Sequence, residues 1–276
     1  MNKKFKFIMA LAATAFLVPT IAYASLPANI DEYLAQFYST EESEEYTEEH
    51  TEEHTEEHDE EHDEDHFSYD IQEDWTFTSG IMQSPIDITT YDAITNNSPT
   101  QLLLNYSTTV DDILDTGHAV QVALTGTATL MNREFELLQL HFHSPSEHTI
   151  DGEYFDFEAH FVHQAQNGRL AVVGVLFKVG EENVELGEIL SRFSNDELSN
   201  SDFELNLLNL FPDDQSYYHY TGSLTTPPLT ENVEWYVLEN SLELSQQQLD
   251  EFKLYYDHNS RDIQGLYGRV ILYTED

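Results

Sequence analysis

Cysteine is absent from all 276 residues of this chain. That excludes thiolate zinc sites, iron–sulfur clusters, cysteine nucleophiles and any disulfide. Basic residues are scarce as well: 10 Lys and Arg stand against 53 Asp and Glu, a formal net charge of −43. A surface of that sign repels nucleic acid and anionic lipid, so neither is expected as a partner, and it attracts cations. Long apolar runs are missing except for FIMALAATAFLVPTIA near the start. Lys3, Lys4 and Lys6 precede it, and Ala22-Tyr23-Ala24 follows with small residues at the −3 and −1 positions of a cleavage site. These are the three parts of a secretory signal peptide. The competing reading, an uncleaved anchor, is opposed by Pro19 and the short span. Cleavage leaves a mature chain starting near Ser25, periplasmic or secreted, with no membrane insertion. Without disulfides, its stability falls to the core and to metal.

What is present divides the chain unevenly. Residues 25–40 form a short linker in which Ile30, Tyr33, Leu34 and Phe37 are spaced for a turn or two of amphipathic helix. Residues 41–66 are an acidic, low-complexity segment with 16 acids and no base. Within it, TEEHTEEHTEEHDEEHDEDH places His50, His54, His58, His62 and His66 four apart. That period aligns imidazoles on a helix, but glutamates recur at the same spacing and oppose it, so disorder is expected without metal or acid. These five histidines are candidate accessory metal ligands. They suit capture of zinc as weakly bound extra ions, or proton buffering, or no specific role at all.

From residue 67 to 276 the composition is that of one folded domain, still carrying 35 acids against 7 bases. LLQLHFH, FEAHFVH, RLAVVGVLFKV and VEWYVL read as strands between turn clusters. NVELGEILSRF and SLELSQQQLDEFKLYY read as helices, the second with a cap at Asn240 or Ser241. The expected fold is mostly β (α+β), a single domain on a large, mainly antiparallel central sheet with small peripheral helices.

Two strands carry the chemistry. Alternation in LQLHFH sets Leu138, Leu140 and Phe142 on one face and Gln139, His141 and His143 on the other. In EAHFVH, Glu158, His160 and Val162 share a side, and a turn around Asp151-Gly152 brings the two strands into antiparallel contact. Two imidazoles on one strand and a third on its neighbour can hold a zinc ion with its fourth tetrahedral position open, the arrangement of a catalytic site. Gln139 and Glu158 lie two residues before ligands on the same face, where each can accept a ligand's second ring N–H. An HxH alone has bland explanations; the whole combination points to metal.

Several stretches together resemble the α-class carbonic anhydrases, over essentially residues 67–276. QSPIDI, GHAVQV, HFHSPSEH, EAHFVH, GSLTTPPLTE and NSRDIQGLYGR follow one another in that family's order. The resemblance implies a carbonic anhydrase, a lyase that interconverts carbon dioxide and bicarbonate through zinc-bound hydroxide on one catalytic zinc. It places His141, His143 and His160 as ligands, with Gln139, Glu158 and Asn259 behind them. It assigns Thr225 to orient the hydroxide and Glu147 to orient Thr225. Val162, Val172, Leu224, Val233, Trp235 and Thr226 match the substrate pocket. His118 matches the proton shuttle, and Tyr69, Thr116 and Gln121 its water path. Asp115 stands where an amide is common, and its carboxylate raises the expected pKa of His118. Many secreted members carry a disulfide from before QSPI to a PPCTE segment; here Leu229 follows the prolines. His148 and His163 are expected to make buried structural hydrogen bonds, and His219 and His258 to lie in loops. The alternative is an exported zinc-binding or zinc-buffering protein on the same fold with little turnover. Oligomeric state is not legible in the sequence.

Overall fold

The computed structural model describes residues 67–75, 80–98, 100–194 and 204–276. The signal-like segment, the 25–40 linker and the histidine repeat lie outside the described residues. Strands β1 (Asp87–Ile88), β2 (Ile94–Thr95), β3 (Leu103–Asp115), β4 (Val120–Leu130), β5 (Arg133–His143), β6 (Thr149–Ile150) and β7 (Glu153–Tyr154) come first. Then follow β8 (Phe157–Gln164), β9 (Leu170–Val179), β10 (Tyr217–Ser223), β11 (Glu231–Leu238), β12 (Leu242–Leu244) and β13 (Leu272–Thr274). Helix α1 spans Val184–Ser194 and α2 spans Gln246–Lys253.

Ten strands form one sheet in the order β2-β13-β10-β11-β9-β8-β5-β4-β3, with β12 also on β9. It is mainly antiparallel as expected; among the described residues, β11 and β12 on β9 and β13 on β2 run parallel. The central strands are buried on both faces, which is why β8 and most of β9 are continuous runs of buried residues. One face packs Leu140, Phe142, Phe161 and Val173 under Leu186, Ile189 and Leu190 of α1 and Leu249 and Phe252 of α2. The other gathers Val162, Val172, Leu176, Tyr220, Trp235 and Val237. Each fully buried Phe, Leu or Val of these layers adds about 1.5–3 kcal/mol.

β6 and β7, which lie between β5 and β8 in the chain, join the earlier β1 in a small separate sheet. Its hairpin turns at Asp151 and Gly152, with φ of 51° and 79°. Positive φ at both positions suits an Asp-Gly pair, and the turn twists with its strands. Side chains tie the segment around Gln83 to the one that follows the prolines. Glu231 Oε1 accepts the Met82 N–H at 2.7 Å, and Gln83 Nε2 donates to the Leu229 carbonyl and to Glu231 Oε1, each at 3.3 Å.

Three expectations need correction. Leu138 does not share a face with Leu140 and Phe142: register shifts at Leu137/Gln139 and Ala123/Gly126 turn it to the opposite layer, leaving Leu137 with the first. The stretch from Ser241 is not all helix. Leu242–Leu244 pairs with Phe177–Val179, and α2 starts later at Ser245, whose Oγ accepts the Gln248 N–H while Gln248 returns a bond to the Ser245 N–H. His219 is not a loop residue; it lies on β10, its ring stacked 4.6 Å from Tyr236 and its Nδ1–H donating to the Trp235 carbonyl.

Candidate metal centre

The antiparallel pairing of β5 and β8 sets Gln139 opposite Val162, His141 opposite His160, and His143 opposite Glu158. All six side chains therefore lie on one face. Glycine at 174 keeps the next strand clear beside them: a Cβ there would stand 3.1 Å from Glu158 Oε1.

Each of the three imidazoles commits one nitrogen to an acceptor. His141 Nδ1–H donates to Gln139 Oε1 at 2.8 Å, His143 Nδ1–H to the Asn259 carbonyl at 2.6 Å, and His160 Nε2–H to Glu158 Oε1 at 2.8 Å. A carbonyl and a carboxylate can only accept, so these bonds fix the tautomers. The other nitrogens turn toward one another as bare lone pairs. His160 Nδ1 and His141 Nε2 are 3.3 Å apart, His143 Nε2 is buried without a partner, and one ligand atom from each ring falls within 4.8 Å of the others. Burial, then neighbouring His143 and His160, hold the His141 imidazole well below the ordinary histidine pKa. Burial also lowers His143, against the opposing pull of Glu147. Three neutral nitrogens facing a common point, with no donor among them, fit a zinc ion held by three histidines.

Behind the rings, Glu158 is completely buried and saturated. Oε1 also accepts His148 Nδ1–H at 2.8 Å, and Oε2 accepts the backbone N–H groups of Glu147 and His148 at 2.8 and 2.9 Å. His148 Nε2 continues to Tyr220 OH at 2.7 Å, and that hydroxyl to Ser84 Oγ at 2.8 Å. His148, Glu158 and His160 also lie close enough to grip a cation. Their facing atoms are already hydrogen-bonded to each other, so this group supports the first rather than forming another site. Its reach through Tyr220 and Ser84 was not legible in the sequence.

Glu147 Oε1 accepts the Arg261 N–H at 2.8 Å, whereas Oε2 is buried without a hydrogen-bond partner, 3.9 Å from His160 Nδ1. Thr225 is buried, and no hydrogen bond joins it to Glu147 in this structure. Val162, Val172, Leu224, Val233 and Trp235 all fall in the apolar layer on the same face of the sheet, and Thr226 is half-buried at the loop beside Thr225. Trp235 lies edge-on to His160, ring centres 4.9 Å apart.

His118 sits in a turn whose side chain Thr116 Oγ1 accepts the backbone N–H groups of His118 and Ala119. The Phe67 ring lies 4.3 Å from that of His118, and Phe67 also meets Tyr69 and Trp75. Gln121 pairs with His141 across β4 and β5; its Nε2 and the Tyr69 hydroxyl are buried without protein partners. The carbonyl and side chain of Asn259 bind His143, Ser144, Phe142 and His118.

A β protein with a three-histidine centre on a broad mixed sheet is the class these features define. Residues 68–275 match the family described as eukaryotic-type carbonic anhydrase, and the chain belongs to that family. It is 36% identical over 208 residues to a carbonic anhydrase of Klebsiella pneumoniae, covering 73% of this chain and 83% of the relative. Dioscorin dioA3 of Dioscorea japonica is 34% identical over 220 residues, covering 75% and 80%. Among solved structures, the α-carbonic anhydrase of Thermovibrio ammonificans in complex with the inhibitor sulfanilamide superposes with a TM-score of 0.65 at 35% identity, covering 70% of this chain and 87% of that one. Family and relatives make the chain an enzyme of the carbonic anhydrase kind, and in general terms support hydration of carbon dioxide. Among the described residues no helix is long and apolar enough to cross a membrane.

Proposed function

We propose that the chain converts carbon dioxide and water reversibly to bicarbonate and a proton, at a zinc ion held by His141 Nε2, His143 Nε2 and His160 Nδ1. The observation that carries this reading is the convergence of three proton-free ring nitrogens, each secured by an acceptor on the ring's other side. Bound there, zinc lowers the pKa of water to about 7, a value for which carbonic anhydrase is the reference case, and so supplies a nucleophile at neutral pH. Gln139, Glu158 and the Asn259 carbonyl hold the rings in register. Glu147 Oε2, unpaired in this structure, is the acceptor to which the Thr225 hydroxyl would donate in the working site, leaving that hydroxyl oxygen to accept from the nucleophile and orient it. Val162, Val172, Leu224, Val233 and Trp235, with Thr226 at the rim, exclude water around an apolar substrate. His118 carries the released proton outward past Tyr69, Thr116 and Gln121, which an imidazole pKa near 6.5 suits. Residues 67–276 are the catalytic domain in this reading, exported after removal of residues 1–24.

The test is metal analysis and carbon dioxide hydration by the mature chain. Zinc and turnover are expected together, both lost in His141→Ala and both removed by a chelator and restored by zinc. A zinc-replete chain that does not hydrate carbon dioxide would leave a zinc-buffering protein on this fold.

The histidine repeat supports the same centre. It ends at His66, one residue before Phe67, and Phe67 packs on His118. Tethered imidazoles at that point reach an effective concentration on the order of millimolar at the centre, so the repeat gathers zinc and passes it on. Replacing all five histidines by Gln in the full mature chain is expected to lower the zinc bound per chain and to slow uptake by the apoprotein from chelator-buffered zinc. Equal stoichiometry and equal uptake would refute it. Equal uptake with slower turnover in dilute buffer would assign the imidazoles to proton uptake.

A further inference from the structure

The turn bearing His118 is fastened by a segment far along the chain. Phe252, fully buried in α2, accepts the Tyr256 N–H at 3.1 Å, and their rings lie 6.0 Å apart. Tyr256 thus leaves the helix from a fixed base against the larger core. Its hydroxyl donates to Asp115 Oδ1. The same oxygen accepts the Gly117 N–H at 2.9 Å, and Gly117 has φ of 83°, a conformation glycine adopts without strain. Three residues after Tyr256, Asn259 Nδ2 donates to the His118 carbonyl at 3.0 Å. One short segment therefore grips the turn at Asp115 and at His118, and the Asn259 carbonyl in that segment also receives His143 Nδ1–H.

We infer that Asp115 and Tyr256 are positioning residues for proton transfer, clasping the turn so that the His118 imidazole is held in line with the centre. The inference rests on the role proposed above for His118. Its physical basis is the short range of proton transfer, which needs heavy atoms about 2.6–3.2 Å apart or one intervening water. A turn free to rock spends most of its time outside that range, and every turnover waits for it to return. Asp115 acts here as an acceptor of two hydrogen bonds, one from a hydroxyl and one from the backbone. Its charge is not the working property, so an amide oxygen at the same place does the same job.

The zinc-loaded mature chain and three variants test this. The proton leaves after bicarbonate has formed, so a loosened His118 lowers kcat and leaves kcat/KM for carbon dioxide in place. In dilute buffer, Tyr256→Phe and Asp115→Ala are each expected to lower kcat about three- to tenfold, a small part of the range of general acid–base catalysis. Excess imidazole in solution is expected to restore both. Asp115→Asn is expected to keep the kcat of the parent. An undiminished kcat in Tyr256→Phe in dilute buffer overturns the clasp. So does a matched fall in kcat and kcat/KM that imidazole does not repair, which marks general damage. Asp115→Asn as slow as Asp115→Ala moves the role of Asp115 from position to charge and equally overturns it. A parent chain inactive even in concentrated buffer refutes the proposed function instead.

Discussion

Replacing Glu158 by Gln separates the stability of the fold from the affinity of the centre. The carboxylate receives four donors: the backbone N–H groups of Glu147 and His148 on Oε2, and His148 Nδ1 and His160 Nε2 on Oε1. Burial pushes this carboxyl up, but His148 and His160 outweigh it and hold it well below the usual carboxylate range. Glutamine has one oxygen to offer and an amide that donates. With the NH2 toward the backbone, two buried N–H groups lose their acceptor, at about 1–3 kcal/mol each. With the NH2 toward the rings, both histidines can change tautomer and accept. His148 then donates through Nε2 to Tyr220 OH, and that hydroxyl and Ser84 Oγ rotate to suit, since either can donate or accept. His160 has no such outlet: its proton moves to Nδ1, which faces His141 Nε2 at 3.3 Å, in the middle of the proposed zinc site.

The second arrangement is cheaper for the fold and ruinous for the metal. Glu158→Gln is therefore expected to keep the apoprotein's urea midpoint close to that of the parent while zinc affinity falls about 10–100-fold, the range typical of outer partners of metal-bound histidines. Glu158→Ala leaves the backbone N–H groups of Glu147 and His148 without an acceptor in either tautomer and should lose about 2–6 kcal/mol. Competition against a chelator gives the zinc dissociation constant, and urea denaturation with and without zinc gives the two stabilities. Zinc affinity within twofold of the parent in Glu158→Gln would refute the tautomer argument. A large loss of apoprotein stability with zinc affinity intact would show that the amide had turned the other way.

Trp235→Ala removes a side chain that is 1% exposed, lies against both His148 and His160 and donates to the Ser223 carbonyl; a loss of about 3–5 kcal/mol is expected in urea denaturation. Ser245→Ala deletes the cap of α2 and should cost about 1 kcal/mol, read the same way, with no change in zinc content. Glu234 is driven up by burial, but hydrogen bonds from Arg133 and Tyr236 and the charges of Arg133 and Arg169 leave it below the usual value. A depressed folded-state pKa contributes stability above the unfolded value of about 4.3 and loses it as pH falls through the folded one. Glu234→Gln should thus be less stable than the parent at pH 7, with the gap closing in acid; a gap independent of pH would contradict the assignment.

The period of two in LQLHFH and EAHFVH was enough to set His141, His143 and His160 on one face, because the ladder pairs His141 with His160 without interruption there. The same reading failed at Leu138, a few residues earlier. A bulge inserts one residue and flips the face while leaving no compositional mark, so alternation cannot reveal it. The cap of α2 lies at Ser245 rather than at the expected Asn240 or Ser241, because the apolar Leu242 and Leu244 fit either period and only their pairing with Phe177–Val179 of β9 makes them a strand. Contacts between distant segments left still less trace. Asp115 and Tyr256 stand 141 residues apart, as do His118 and Asn259, and nothing local to either predicts its partner. Yet these contacts decide how the centre is built. Asn259 receives His143, Arg261 N–H holds Glu147, and Tyr256 grips the turn of His118, so three separate parts of the site are braced by one loop after α2. A disturbance of that loop should therefore reach His143, Glu147 and His118 together, although none of those residues lies in it.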